Sequence, residues 1–142
     1  MHHPRIRVAA YVIRYRTTPQ LLVFDHVGLP EAGTQIPAGG AHPGEALDTA
    51  VLREVGEETG LRNVSVVEQL AVDDHAHSLT HHPRRTTFFR LHARPDTPDT
   101  WTHRVDGDGA DHGLIFTCRF VRLPLKSPLA DQQDRWLSRI AS

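Results

Sequence analysis

Residues Gly39–Leu61 read GGAHPGEALDTAVLREVGEETGL, and this stretch sets what the rest of the chain must accommodate. Pro43-Gly44-Glu45 opens a helix and Gly60 closes it, since proline suits the first turn and glycine the left-handed cap. The helix runs from about Ala46 to Thr59. At 3.6 residues per turn, Leu47, Ala50, Val51, Glu54 and Glu58 share one face, with Glu57 on its flank three residues after Glu54. An ordinary surface helix keeps its acids away from its apolar side. Here three carboxylates crowd it, where like charge and partial burial both penalise ionisation. A divalent cation would remove both penalties, and oxygen-only ligands suit Mg²⁺ or Mn²⁺.

Arg53 lies one position off this cluster and four before Glu57. Its forked guanidinium can reach forward to Glu57 or back to Glu45, tying the entry loop to the helix. Gly39 and Gly40 in that loop allow positive φ and close approach to a ligand. Ile36-Pro37-Ala38 before them reads as the end of a strand. Gly56 costs the helix about 1 kcal/mol against alanine.

This segment resembles the Nudix hydrolase signature, G-x5-E-x7-R-E-U-x-E-E-x-G-U with U a bulky aliphatic residue. All nine specified positions are met, by Gly39, Glu45, Arg53, Glu54, Val55, Glu57, Glu58, Gly60 and Leu61. The resemblance implies that Glu54, Glu57 and Glu58 bind metal or activate water while Arg53 and Glu45 orient them. It also implies that the loop, helix and following loop act as one rigid unit against a diphosphate linkage. The fold it implies is an α/β/α sandwich with mixed β-sheets.

A chain of 142 residues is one domain with room for a proper core, here residues 1–142. A net charge of −1 sets up no basic field, so neither a nucleic-acid polymer nor a membrane surface is an expected partner. The single cysteine, Cys118, sits in an apolar run and reads as a buried thiol. No apolar run approaches 18 residues and no hydrophobic leader is present, so a cytoplasmic protein is the expectation. The expected partner is a small nucleotide-type molecule, with a homodimer left open.

Hydrophobic periodicity predicts strands at Arg5–Arg16, Gln20–His26, Thr34–Pro37, Ser65–Asp73 and Thr86–Ala93. Arg94–Thr100, with two prolines, is a loop. Two further strands, Trp101–Val105 and Gly113–Leu123, are joined by Asp106-Gly107-Asp108-Gly109, which favours a tight turn. Residues from about Leu129 to Ile140 form a C-terminal helix in which Leu129, Trp136, Leu137 and Ile140 share an apolar face.

Many Nudix members recruit a further acid downstream of the box. No glutamate follows Glu68, so Asp106, Asp108 and Asp111 are the candidates. Asp106 reads better as a turn residue; Asp108 and Asp111 are kept as a metal ligand or general base. His75, His77, His81 and His82 cluster without a clear third ligand, so solvated or substrate-facing histidines are favoured over a transition-metal site. Trp101, Phe24 and Tyr15 are aromatic enough to stack on a base, but core packing is the commoner use. Arg84 and Arg85 read as solvated loop charges, with the clamping of a terminal phosphate as the alternative.

The resemblance implies a metal-dependent hydrolase of a nucleoside diphosphate linked to another group. The marker proline of ADP-ribose hydrolases and the marker tyrosine of dinucleoside polyphosphate hydrolases are missing from Asp74–Leu79, and the coenzyme A motif is not apparent. Nucleoside triphosphates and nucleotide sugars stay open. The alternative is a non-catalytic Nudix-like domain that senses a nucleotide metabolite.

Overall fold

A computed structural model describes residues 3–107 and 112–140. Strand β1, Arg5–Tyr15, is the axis of the molecule. Every residue from Val8 to Arg14 is buried, so both faces of this strand are covered. The period-2 alternation of a strand then divides its side chains between two cores. Val8, Ala10 and Val12 pack with Leu22, Phe24, Ala50, Val51, Val55 and Leu91 on one face. Ala9, Tyr11 and Ile13 pack with Leu21, Val23, Ile36, Phe88, Leu129 and Ile140 on the other.

Around β1 stand β2 (Pro19–His26), β3 (Ala38–Gly40), β4 (Val64–Asp73), β5 (Arg84–Ala93), β6 (Thr100–Arg104) and β7 (Ile115–Arg122). They form one seven-stranded mixed sheet in the order β4-β5-β1-β2-β7-β6, with β3 paired to β1. β5 runs parallel to β1, and the other pairings are antiparallel. Helix α1, Leu47–Thr59, covers the first core. It ends where Gly60 turns left-handed (φ 80°) and its N–H closes on the Gly56 carbonyl, as the glycine stop predicts.

Two local expectations are revised. Only an isolated bridge, Phe24 to Gln35, forms within Thr34–Pro37; the strand comes just after, at Ala38–Gly40. Pro37 has no N–H to give a ladder, and the Ile36 N–H goes instead to Gln133 Oε1 at 2.8 Å. Val105 bonds to Leu114 and Gly113, so the two strands stay paired up to the connection, whose Asp108-Gly109 step, part of the expected tight turn, lies outside the described residues.

The C-terminal segment does lay Leu129, Trp136, Leu137 and Ile140 on the second core. Its winding, however, is 3-10 over Ala130–Arg139, broken by Asp131 (φ 53°) and Gln132 (φ 55°). The Tyr11 hydroxyl intrudes: it donates to the Gln133 carbonyl and accepts the Trp136 N–H at 3.2 Å, groups an α-helix would use internally. No helix among the described residues is long and apolar enough to cross a membrane.

Candidate active site

Burial on α1 falls on Ala50, Val51, Glu54, Val55, Gly56, Glu58 and Thr59. Two acids therefore stand on the covered side of the helix: Glu54 is 9% exposed and Glu58 5%. Glu57 keeps more contact with solvent, with 19% of its side chain accessible. This is the arrangement predicted from periodicity, with Val55, Gly56 and Thr59 added and Leu47 only partly buried.

Arg53 organises the cluster. Its Nε and Nη2 donate to the two carboxylate oxygens of Glu45, both at 2.9 Å, and Nη2 also donates to the Gly40 carbonyl at 2.9 Å. Nη1 reaches Glu54 Oε1 at 2.9 Å and Glu57 Oε2 at 3.2 Å. One guanidinium thus binds the entry loop on one edge and two of the acids on the other. Glu45 also accepts the His42 N–H at 2.9 Å. The Arg53 hydrogen bonds, helped by that N–H, draw the Glu45 carboxyl down to about 2. The same bonds push the Arg53 pKa up.

Two glycines make room for the acids. A Cβ on Gly39 would sit 2.3 Å from Glu54 Cδ and Oε2, so any larger residue would force the carboxylate or the loop to shift. On the other flank, a Cβ on Gly107 would sit 2.7 Å from Glu57 Cδ. Next to it the Asp106 N–H donates to the Glu57 carbonyl at 3.0 Å. The Ala38 N–H donates to Glu58 Oε1 at 2.8 Å, fixing that carboxylate against the end of the entry loop. Burial raises the Glu54 pKa, Arg53 opposes this and the Glu57 charge adds to it.

Among the described residues, no three His, Cys, Asp or Glu side chains converge as a ready-made metal cage. Arg53 is the cation that compensates Glu54 and Glu57 here. The donor set still fits Mg²⁺ or Mn²⁺. It is oxygen only, gathered on one helix, and in Glu54 it carries a charge that burial disfavours. Asp108 and Asp111, the candidate further acids, lie outside the described residues; Gly107, just before them in sequence, lies against Glu57.

The remaining candidates separate. His77 Nδ1 accepts the Leu79 and Thr80 N–H groups, and His75 Nδ1 faces Arg135 at 3.1 Å. Phe24 stacks on Phe116 in the core at 4.2 Å. Tyr15 packs edge-on against His92 at 5.1 Å. Trp101 donates to the Thr59 carbonyl at 2.7 Å, pinning the end of α1. Arg85 is half-exposed and paired with Asp74, whereas Arg84 is buried. His103, whose Nε2 lies 3.0 Å from the Glu57 carbonyl, and Gly107 are contributors that sequence spacing did not single out.

A likeness to solved structures extends over the whole fold. A UDP-X diphosphatase superposes with a TM-score of 0.69 at 18% identity, over 98% of this chain and 62% of that one. The chain therefore spans less than two thirds of that protein. The NUDIX domain of Shewanella oneidensis NrtR, solved with ADP ribose, gives 0.65 at 16% identity over 98% of this chain and 87% of that one. A MutT NUDIX hydrolase from Burkholderia pseudomallei gives 0.66 at 21% identity, over 99% and 100%. At such identities these likenesses show the fold alone. No curated protein matches the sequence. The family model described as the NUDIX domain matches residues 5–138, from the first strand to the last turn of the C-terminal segment. With the complete box folded around Arg53, that match makes the chain a member of the Nudix hydrolase family.

Proposed function

We propose that this protein is a divalent-metal-dependent hydrolase of a nucleoside diphosphate linked to another group, such as a nucleoside triphosphate or a nucleotide sugar. One observation carries the reading: Glu54, Glu57 and Glu58 are held on one helix by Arg53, Gly39 and the Ala38 N–H, at a cost in charge burial that folding alone does not require. Mg²⁺ or Mn²⁺ held by these three acids would polarise the diphosphate oxygens and acidify water for attack on phosphorus.

The chain's own residues do the rest. Arg53 and Glu45 hold the acids in register with the entry loop, and Gly39 lets the backbone come close to the reacting group. Glu54, or Asp108 or Asp111 from the loop that begins at Gly107, takes the proton released by the attacking water. Products are a nucleoside monophosphate and a phosphorylated fragment, or pyrophosphate from a triphosphate. The names of two structural neighbours, a UDP-X diphosphatase and a domain complexed with ADP ribose, fall in the same chemical class. In this reading the protein works in the cytoplasm on a small-molecule partner.

The test is phosphate release from nucleoside triphosphates, dinucleotides, nucleotide sugars, ADP-ribose and coenzyme A, with coupled phosphatase, with and without Mg²⁺ or Mn²⁺. Metal-dependent turnover of one class is expected. Tight, metal-independent binding of one compound without turnover would favour the sensor instead.

A further inference from the structure

Beside the box, on the opposite face of β1 from α1, lies a cavity of about 20 Å³ lined by Arg7, Ala38, Arg84, Phe88, Asp131 and Gln133 among others. It has room for one water-sized group. Its walls are unusual for a core-side cavity, because two guanidiniums enter it. Arg84 is only 6% exposed. Burial, then the charges of Arg84 and Arg5, lower the Arg7 pKa, while the carboxylates of Asp131 and Glu58 pull it back up. Arg84 is buried and Arg7 partly so; neighbouring cations with reduced hydration repel, and an anion beside them relieves this.

The anion present is Asp131, which makes a close ion pair with Arg84. Its Oδ2 stands 2.6 Å from Arg84 Nη1, yet no hydrogen bond forms from that buried nitrogen, so the pair is close but misaligned. Arg84 Nε reaches only the His75 carbonyl, at 3.4 Å. To place its carboxylate there, Asp131 adopts a left-handed conformation (φ 53°, ψ 33°), and so does Gln132 (φ 55°, ψ 29°). Two successive non-glycine residues in this region are costly and persist only where surroundings hold them. The holders are Arg84 and Ser78, whose N–H and hydroxyl both donate to Asp131 Oδ1.

The position is also informative. Ala38, in the cavity wall, donates its N–H to Glu58, and the neighbouring Gln133 accepts the Ile36 N–H at the entry to the box. The cavity thus shares its wall with the backbone that fixes Glu58.

We propose that Arg7 and Arg84 form a subsite for a second anionic group of the substrate, a phosphate or similar oxyanion, and that the Asp131 carboxylate occupies this place in the free protein. The proposal rests on the hydrolase reading for its substrate. Entry of the ligand anion displaces Asp131 from Arg84, and the 130–133 turn relaxes to widen the cavity. The subsite selects substrates that carry a charged group beyond the scissile diphosphate over those that end in a neutral sugar.

Calorimetric titration with inorganic phosphate in EDTA tests the subsite without metal and without turnover. Asp131→Asn removes the internal competitor and keeps the shape, so phosphate should bind on the order of tenfold more tightly than to wild type. Arg84→Gln should weaken it by about as much. Should Arg84→Gln not fold, Arg7→Gln makes the same prediction. Equal phosphate affinity in wild type, Asp131→Asn and the arginine variants overturns the proposal. So does an Asp131→Asn protein that loses stability with no gain in affinity, since the pair would then be a structural latch.

A second arm uses the Mg²⁺-loaded enzyme. Asp131→Asn should lower KM for a nucleoside triphosphate and leave it unchanged for a nucleotide sugar. If free phosphate instead alters turnover of both without competing, the assignment to a substrate group is wrong. Absence of turnover on every compound would refute the hydrolase reading, while the phosphate titration would still decide the subsite.

Discussion

Gly39→Ala is the sharpest single perturbation of the box. The added Cβ would lie 2.3 Å from Glu54 Cδ and Oε2, where ordinary contact begins at 3.4 Å. The carboxylate or the loop must therefore retreat by about 1.1 Å, the difference of those two distances. Gly39 does not need a left-handed φ, so alanine brings no backbone strain of its own and the effect is steric. Because the clashing atoms end a side chain that can pivot, stability should fall only modestly, by about 1–3 kcal/mol for an overpacked site. A displacement of about 1 Å at a reacting group is worth roughly a hundredfold in rate. The expected result is a small drop in melting temperature with kcat down on the order of a hundredfold. Adding Glu54→Asp, one methylene shorter, should recover stability but not rate. Unchanged kcat in Gly39→Ala would refute the placement of Glu54 against the loop as part of the machinery.

Tyr11→Phe leaves the Gln133 carbonyl and the Trp136 N–H without their buried partner, which should cost about 1–3 kcal/mol and show as a shift in Trp136 fluorescence during unfolding; an unchanged midpoint would count against the stapling of the C-terminal segment. Glu45 titrates near 2 in the folded protein against an ordinary 4.5, so its contribution to stability is complete above pH 4.5 and lost as pH falls toward 2. Glu45→Gln should therefore flatten acid unfolding in that window, and an identical acid limb in both proteins would contradict the latch. Burial pushes the Cys118 thiol up to about 12. At pH 8 a thiol reagent should modify it only at the rate of unfolding, and fast modification of native protein would be the contrary result.

What the sequence made legible follows from which interactions are local. The box helix obeys a period and carries its own stop, so Glu54, Glu58 and Gly60 could be placed before any fold was known. β1 carries a continuous apolar run from Val8 to Ile13, buried on both sides, and such a run survives any choice of neighbours. The C-terminal segment was legible in its apolar face but not in its winding. Nothing near residue 133 shows that the hydroxyl of Tyr11, 122 residues earlier, will take its carbonyl. Arg84 looked like a loop charge because its environment is assembled by β1 and the 130–133 turn, both far away in sequence. Gly107 resembled a turn glycine, and its approach to Glu57 depends on how β6 is hung beside α1. Long-range pairing, which no local pattern encodes, accounts for each of these gaps.

The central claim, that these three acids serve metal-dependent hydrolysis, is tested most directly by Mg²⁺ titration of substrate turnover in wild type and Glu57→Gln. Glu57 is the least buried of the three and Gly107 packs on it, so glutamine of the same shape should fold normally. The account predicts saturable metal dependence in wild type and a loss of orders of magnitude in Glu57→Gln, with the melting temperature in EDTA preserved. Equal turnover in both proteins, or turnover that ignores EDTA, would contradict it.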